Sequence, residues 1–111
     1  MTVPPIDISA KDWKILSDIL RQHVPDHEVW AFGSRAKRTS RTYSDLDIVI
    51  LTPKPLSSAI RGPLVEDFSE SDLPFRIDLL DWHTAPENFR RIAEKDKVVL
   101  QPGTEAQLSN N

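Results

Sequence analysis

The chain has 111 residues, 14 Lys plus Arg against 17 Asp plus Glu for a net charge of −3, a 39% hydrophobic fraction and no Cys. One domain is expected at about 150 residues per domain. The lack of thiols excludes disulfide frameworks, thiolate nucleophiles, Cys-type zinc sites and iron–sulfur clusters, while the mildly acidic balance argues against broad binding to nucleic acid or membrane surfaces.

Residues 1–8 hold two prolines and no clear period, and 102–111 is polar, so both are expected as flexible ends around a single domain over 9–101. The start lacks the basic and apolar parts of a signal peptide and no apolar run approaches the ~18 residues that span a bilayer, so a cytoplasmic protein is expected. Ser9 can cap a helix over 10–23, in which Trp13, Ile15, Leu16, Ile19 and Leu20 recur at helical spacing and which ends near Val24-Pro25. Glu28 to Gly33 is short, aromatic and β-branched and stops at a glycine, the pattern of a strand entering a turn; Ser34 to Lys37 can open a short helix. After the polar stretch 39–44, Asp45 to Thr52 is the clearest strand, ended by Pro53 and Pro55. Residues 57–69 read as helix, though Gly62-Pro63 interrupts the pattern. A turn at 71–74 leads to a third strand over 75–81, a helix over 86–96 with Pro in its first turn, and a last short strand at 98–100. This order predicts a small α/β (α+β) fold, a mixed sheet with helices on one or both faces.

Asp45 and Asp47 head an apolar strand and, by the alternation of strand side chains, project from one face while Leu46 turns into the core. Two ionised carboxylates so close repel unless a cation lies between them, and hard oxygen ligands suit Mg²⁺ bound together with substrate phosphates. Asp78 supplies a third carboxylate if the strands at 45–52 and 75–81 are neighbours; Asp81, three residues on, faces the other way. Gly33-Ser34 complements them, since a glycine lets backbone approach a ligand and free N–H groups at a helix start bind phosphate. Arg35, Lys37, Arg38 and Arg41 put four cations within seven residues, a local field suited to a triphosphate. Any one of these features alone is ordinary for a solvated surface. In this order together they point to nucleotidyl transfer.

Phe32-Gly-Ser-Arg-Ala-Lys37 followed by Tyr43-Ser-Asp-Leu-Asp-Ile48 resembles the signature of the polymerase-β-like nucleotidyltransferases, and the short chain resembles their minimal members. Val29 to Arg35, with Phe68 to Pro74 and Arg76 to Trp82, is also similar to one bacterial subgroup encoded beside a helical HEPN-type partner. The resemblance covers roughly residues 10–101 and implies a polymerase-β-like nucleotidyltransferase fold. It implies that Asp45, Asp47 and Asp78 are the catalytic residues and hold two Mg²⁺ ions. Gly33 and Ser34 would hold the triphosphate of ATP, with Arg35, Lys37 and Ser44 in the same nucleotide site. The implied activity is transfer of AMP from ATP to a tyrosine of the HEPN ribonuclease, silencing it as an antitoxin. Where the family often has a glycine after Lys37, this chain has Arg38. A positive φ is costly there for anything but Gly or Asn, so a different loop path or a role in the bound state is expected.

Two other readings compete. A non-catalytic module could neutralise a partner by covering about 800 Å² of it, without an intact acid triple. Nucleotide transfer to a small molecule shares the chemistry, but 111 residues leave no second domain to recognise the acceptor. His23, His27 and His83 form no motif and are expected at the surface or at helix ends. Trp13, Trp30 and Trp82 are expected in the core, with Trp82-His83 the most exposed position. A homodimer or a hetero-oligomer would leave no signature in one chain.

Overall fold

The computed structural model describes residues 2–41 and 44–104; Met1, the signature's Tyr43 and the end of the polar tail lie outside the described residues. Helix α1 (Ala10–His23) starts where Ser9 Oγ accepts the Asp12 N–H at 3.0 Å, and it buries Trp13, Leu16 and Leu20. Strands β1 (Glu28–Phe32) and β2 (Leu46–Leu51) form an antiparallel pair. Helix α2 (Ser58–Glu70) then crosses to strand β3 (Ile77–Asp81), which runs parallel to β2. A single 3₁₀ turn over Trp82–Thr84, helix α3 (Glu87–Asp96) and strand β4 (Val98–Gln101), antiparallel to β1, complete the chain. The sheet order is β3-β2-β1-β4.

Both faces of the sheet are covered. Leu46, Ile48 and Ile50 of β2, fully buried, join Val29, Ala31 and Leu79 under α1 and α2. On the opposite face, Trp30, Phe32 and Val49 pack against Ala93 of α3. Each of those large side chains contributes about 1.5–3 kcal/mol by leaving water. The ring of Trp82 closes that second face edge-on to Trp30, with centroids 5.3 Å apart. Trp82 is the least buried of the three indoles.

Three expectations change. Residues 2–8 do not form a loose end: Ile6 is 3% exposed in the main core, and the Asp7 N–H donates to Arg35 O at 2.9 Å. The polar end is also anchored at its start, where the Thr104 N–H donates to Asp26 O at 3.1 Å. Ser34 to Lys37 makes a turn instead of a short helix: one α-type bond closes it, from Lys37 N–H to Gly33 O at 3.0 Å. Helix α2, in contrast, runs unbroken across Pro63. The clash that keeps residues before proline out of the α region involves their Cβ, and Gly62 has none and stands in open space.

Candidate active site

The ladder between β2 and β3 sets Leu46 opposite Ile77 and Asp47 opposite Asp78. Parallel pairing keeps side chains of partnered residues on one face, so Asp47 and Asp78 stand side by side on the face that α3 covers farther along. On the other flank of Asp47 is Phe32, its partner in β1. The chain then turns at Gly33, φ 79°, directly over the Asp47 carboxylate; a Cβ at Gly33 would collide with Asp47 Oδ2. That approach is why this position is glycine: no side chain fits, and the backbone needs a positive φ.

Asp47 is half-buried, and desolvation pushes its carboxyl up to about 6 from 3.8. The Asp78 charge, a hydrogen bond shared with Asp78, and the Asp45 charge push the same way. Below about pH 6 the pair therefore shares a proton, and above it two negative charges face each other. Asp45, just ahead of β2, is exposed and acts on Asp47 through its charge. Among the described residues, no three carboxylate or imidazole groups are gathered round one point as the side chains stand. The donor set nonetheless suits a hard divalent ion: it consists of carboxylate oxygens alone, and the neighbouring acid charges that raise the Asp47 pKa are what a cation would offset. Asp81 belongs elsewhere. It is buried on the α2 side, where it accepts the Leu56 N–H at 3.2 Å and Arg61 Nη1 at 3.0 Å.

The neighbouring turn differs from the expected bank of phosphate donors. Ser34, half-buried, follows Gly33. Arg35 is a correction: it is 6% exposed, with its guanidinium 4.0 Å over the Phe75 ring. Its Nε donates to Ser44 O at 2.8 Å and its Nη1 to Asp7 O at 2.7 Å. This cation braces the loop and is not open to a triphosphate. Ser44 is turned back as well, its Oγ accepting the Arg41 N–H at 2.9 Å. Lys37 stays accessible, with Nζ 3.2 Å from Asp96 Oδ2 at the end of α3. Arg38 takes the left-handed φ of 60° that the loss of a glycine was expected to avoid, and its Nε lies 3.7 Å from Asp7 Oδ1.

Two residues of this neighbourhood went unread in the sequence. Asp7 lies in the stretch expected to be loose; its signal is the apolar pair Ile6 and Ile8 around it, which marks anchored chain. Asp96 is an acid in the last turn of a helix, against the preference of the helix dipole, and such a placement points to a cation nearby. Two histidines are as expected: His23, at the end of α1, pairs with Asp67 of α2 at 2.5 Å, and His83 is exposed; His27 is instead half-buried between α1 and β1.

Comparison with known proteins gives three findings. The profile of the family described as "Polymerase beta, Nucleotidyltransferase" matches residues 14–104. A Haemophilus influenzae protein described as "Probable protein adenylyltransferase MntA" is 52% identical over 96 residues, which span 86% of this chain and 84% of that protein. Among solved structures, a chain of a toxin–antitoxin complex with AMP-PNP superposes with a TM-score of 0.69 at 25% identity, over 86% of this chain and 76% of that one. A chain from a complex of tri-AMPylated Shewanella oneidensis HEPN toxin with MNT antitoxin shares the fold, with a TM-score of 0.63 at 22% identity over 89% of this chain and 76% of that one.

Proposed function

The chain belongs to the polymerase β nucleotidyltransferase family, and from that premise we propose that it transfers AMP from ATP to a tyrosine hydroxyl of a HEPN-type toxin, acting as its antitoxin. The observation that carries this reading is the register of β2 against β3, which sets Asp47 beside Asp78 under the Gly33 turn. Its protein acceptor rests on the 52% identity to a protein described as an adenylyltransferase acting on proteins, and its HEPN partner on the likeness to toxin–antitoxin complexes.

Asp45, Asp47 and Asp78 are the residues that would hold two Mg²⁺ ions, whose chemistry is to neutralise the triphosphate and acidify the attacking hydroxyl. The chain's own part is mainly positioning. Backbone N–H groups of the Gly33 turn and the Ser34 hydroxyl donate to phosphate oxygens, and Lys37, exchanging Asp96 for the nucleotide, adds charge at the same end. The acceptor oxygen attacks the α-phosphorus as the bond to pyrophosphate breaks. Asp78, exposed beside Asp47, receives the hydroxyl proton at a carboxylate oxygen.

The test incubates the purified protein with Mg²⁺ and each α-labelled nucleoside triphosphate in lysate of its own source, beside an Asp45→Asn/Asp47→Asn variant. Label from ATP should enter one protein band, fall by at least about a hundredfold in the variant, and map to tyrosine in a helical protein. Label on a small molecule would replace the protein acceptor, and no label beside continued silencing of the toxin by the variant would replace catalysis with simple covering.

A further inference from the structure

We infer that Asp7, in the segment ahead of α1, is a positioning residue for the phosphate-facing turn, clamping it from outside the family signature. The inference rests on the reading of Gly33-Ser34 as the triphosphate site. Asp7 Oδ2 accepts from Ser40 Oγ at 2.6 Å and from the Ser40 N–H at 3.2 Å, while Oδ1 faces Arg38 Nε at 3.7 Å. Asp7 thus holds the residues on either side of Thr39. Thr39 is the link inward: its N–H donates to Ser34 O at 2.9 Å, and its hydroxyl reaches the same oxygen at 3.4 Å.

The clamp has a second arm through the backbone. The Asp7 N–H donates to Arg35 O at 2.9 Å, and Asp7 O accepts Arg35 Nη1 at 2.7 Å. Arg35 continues to Ser44 O, next to Asp45. One residue is therefore connected to both halves of the site, the Ser34 turn and the first carboxylate. Its own anchor is Ile6, in the core.

The turn needs such a clamp because Arg38 sits at φ 60°, a conformation that side chains other than those of Gly and Asn resist. Left free, Arg38 would relax toward negative φ and draw Thr39 away from Ser34. The Ser40 hydroxyl, donating to it, holds the Asp7 carboxyl below its ordinary 3.8; the Ser40 N–H and the charges of Arg38 and Arg35 act in the same direction and burial opposes them. The clamp is therefore ionised throughout the neutral range.

Two readouts on the full chain test this: amide hydrogen exchange at Thr39 without ligand, and calorimetric titration with ATP and Mg²⁺. In Asp7→Ala, Thr39 exchange should accelerate while the β2 amides stay protected, and ATP affinity should fall about tenfold, the loss of roughly one net hydrogen bond. Asp7→Asn keeps an acceptor for Ser40 and should stay within about threefold of the wild type. Arg38→Gly removes the strain, so Asp7→Ala/Arg38→Gly should bind within about threefold of Arg38→Gly alone. If Asp7→Ala folds poorly, Ser40→Ala gives the same signature in milder form. Unchanged Thr39 exchange, unchanged affinity, or a loss that neither Asn nor Arg38→Gly recovers overturns the role of Asp7. Wild-type protein that binds no ATP overturns the reading of the turn.

Discussion

Asp47 sits where its own negative charge is least welcome, half-buried between Phe32 and a second carboxylate, with the Gly33 backbone overhead. Its raised pKa fixes the sign of a pH effect. The folded state keeps a proton that the unfolded chain has lost between 3.8 and about 6, so this group's contribution to stability is complete below 3.8 and fades as pH rises through 6. Asp47→Asn removes the penalty. After allowance for solvent screening of a half-exposed group, the variant should gain roughly 1 kcal/mol, or about 4 °C in Tm, at pH 8 without divalent ions. The gain should vanish near pH 4, and differential scanning calorimetry across that range checks it. A site that destabilises its own fold is ordinary for chemistry that gathers like charges. This residue was legible because strand alternation dictates which acids share a face: Asp45 and Asp47 were grouped, and Asp81 set aside, on a period of two. Arg35 was not legible in the same way. An arginine beside a phosphate-binding turn reads as a phosphate donor, and only the fold reveals Phe75, Asp7 and Ser44 already around it.

At the scale of elements, local rules worked where the local signal decides. The Ser9 cap and the apolar stripe of α1 locate that helix to the residue, because the cap hydrogen bond and one buried face both belong to consecutive chain. They failed where a distant contact decides. The segment before α1 has no period and two prolines, yet the sheet and helices leave a place for Ile6 among Leu16, Leu20 and their neighbours. Ile6→Ala should therefore cost about 2–4 kcal/mol and lower Tm by at least about 8 °C, a loss no flexible end would produce, measurable by thermal unfolding. The turn at 34–37 failed for a related reason. Its residues suit a helix, but the left-handed Arg38 and the pull of Asp7 on Arg38 and Ser40 end it after one turn. Gly62-Pro63 looked like a break and was absorbed; the glycine, with no Cβ, relieves one of the clashes a helical proline brings.

The whole molecule rests on one departure from an antiparallel pattern. β1 joins β2 and β4 antiparallel, but β3 arrives after the α2 crossover and lies parallel to β2, so the two strands begin at the same edge with acids level. The sequence made that neighbourhood conditional, because no local feature states which strand lies beside which. In folding terms, the site is assembled from pieces of different range. Gly33 and Asp47 come together when a hairpin closes, whereas Asp78 must wait for the longer crossover from Leu51 to Ile77, a slower step because its loop-closure entropy comes first. Asp47 reports that wait. Until β3 docks it is neither fully desolvated nor beside Asp78, and once it is both, the carboxyl holds a proton at pH 5, where the unfolded chain has almost none. Refolding at pH 5 in weak buffer should draw close to one proton from solution through this residue, and stopped-flow with an indicator dye should time that uptake to the formation of the parallel pair. Asp78→Asn, with the neighbouring charge gone but the burial kept, should reach the same fold with less proton uptake at pH 5. The last carboxylate to join the site would then be visible as a clock for the fold itself.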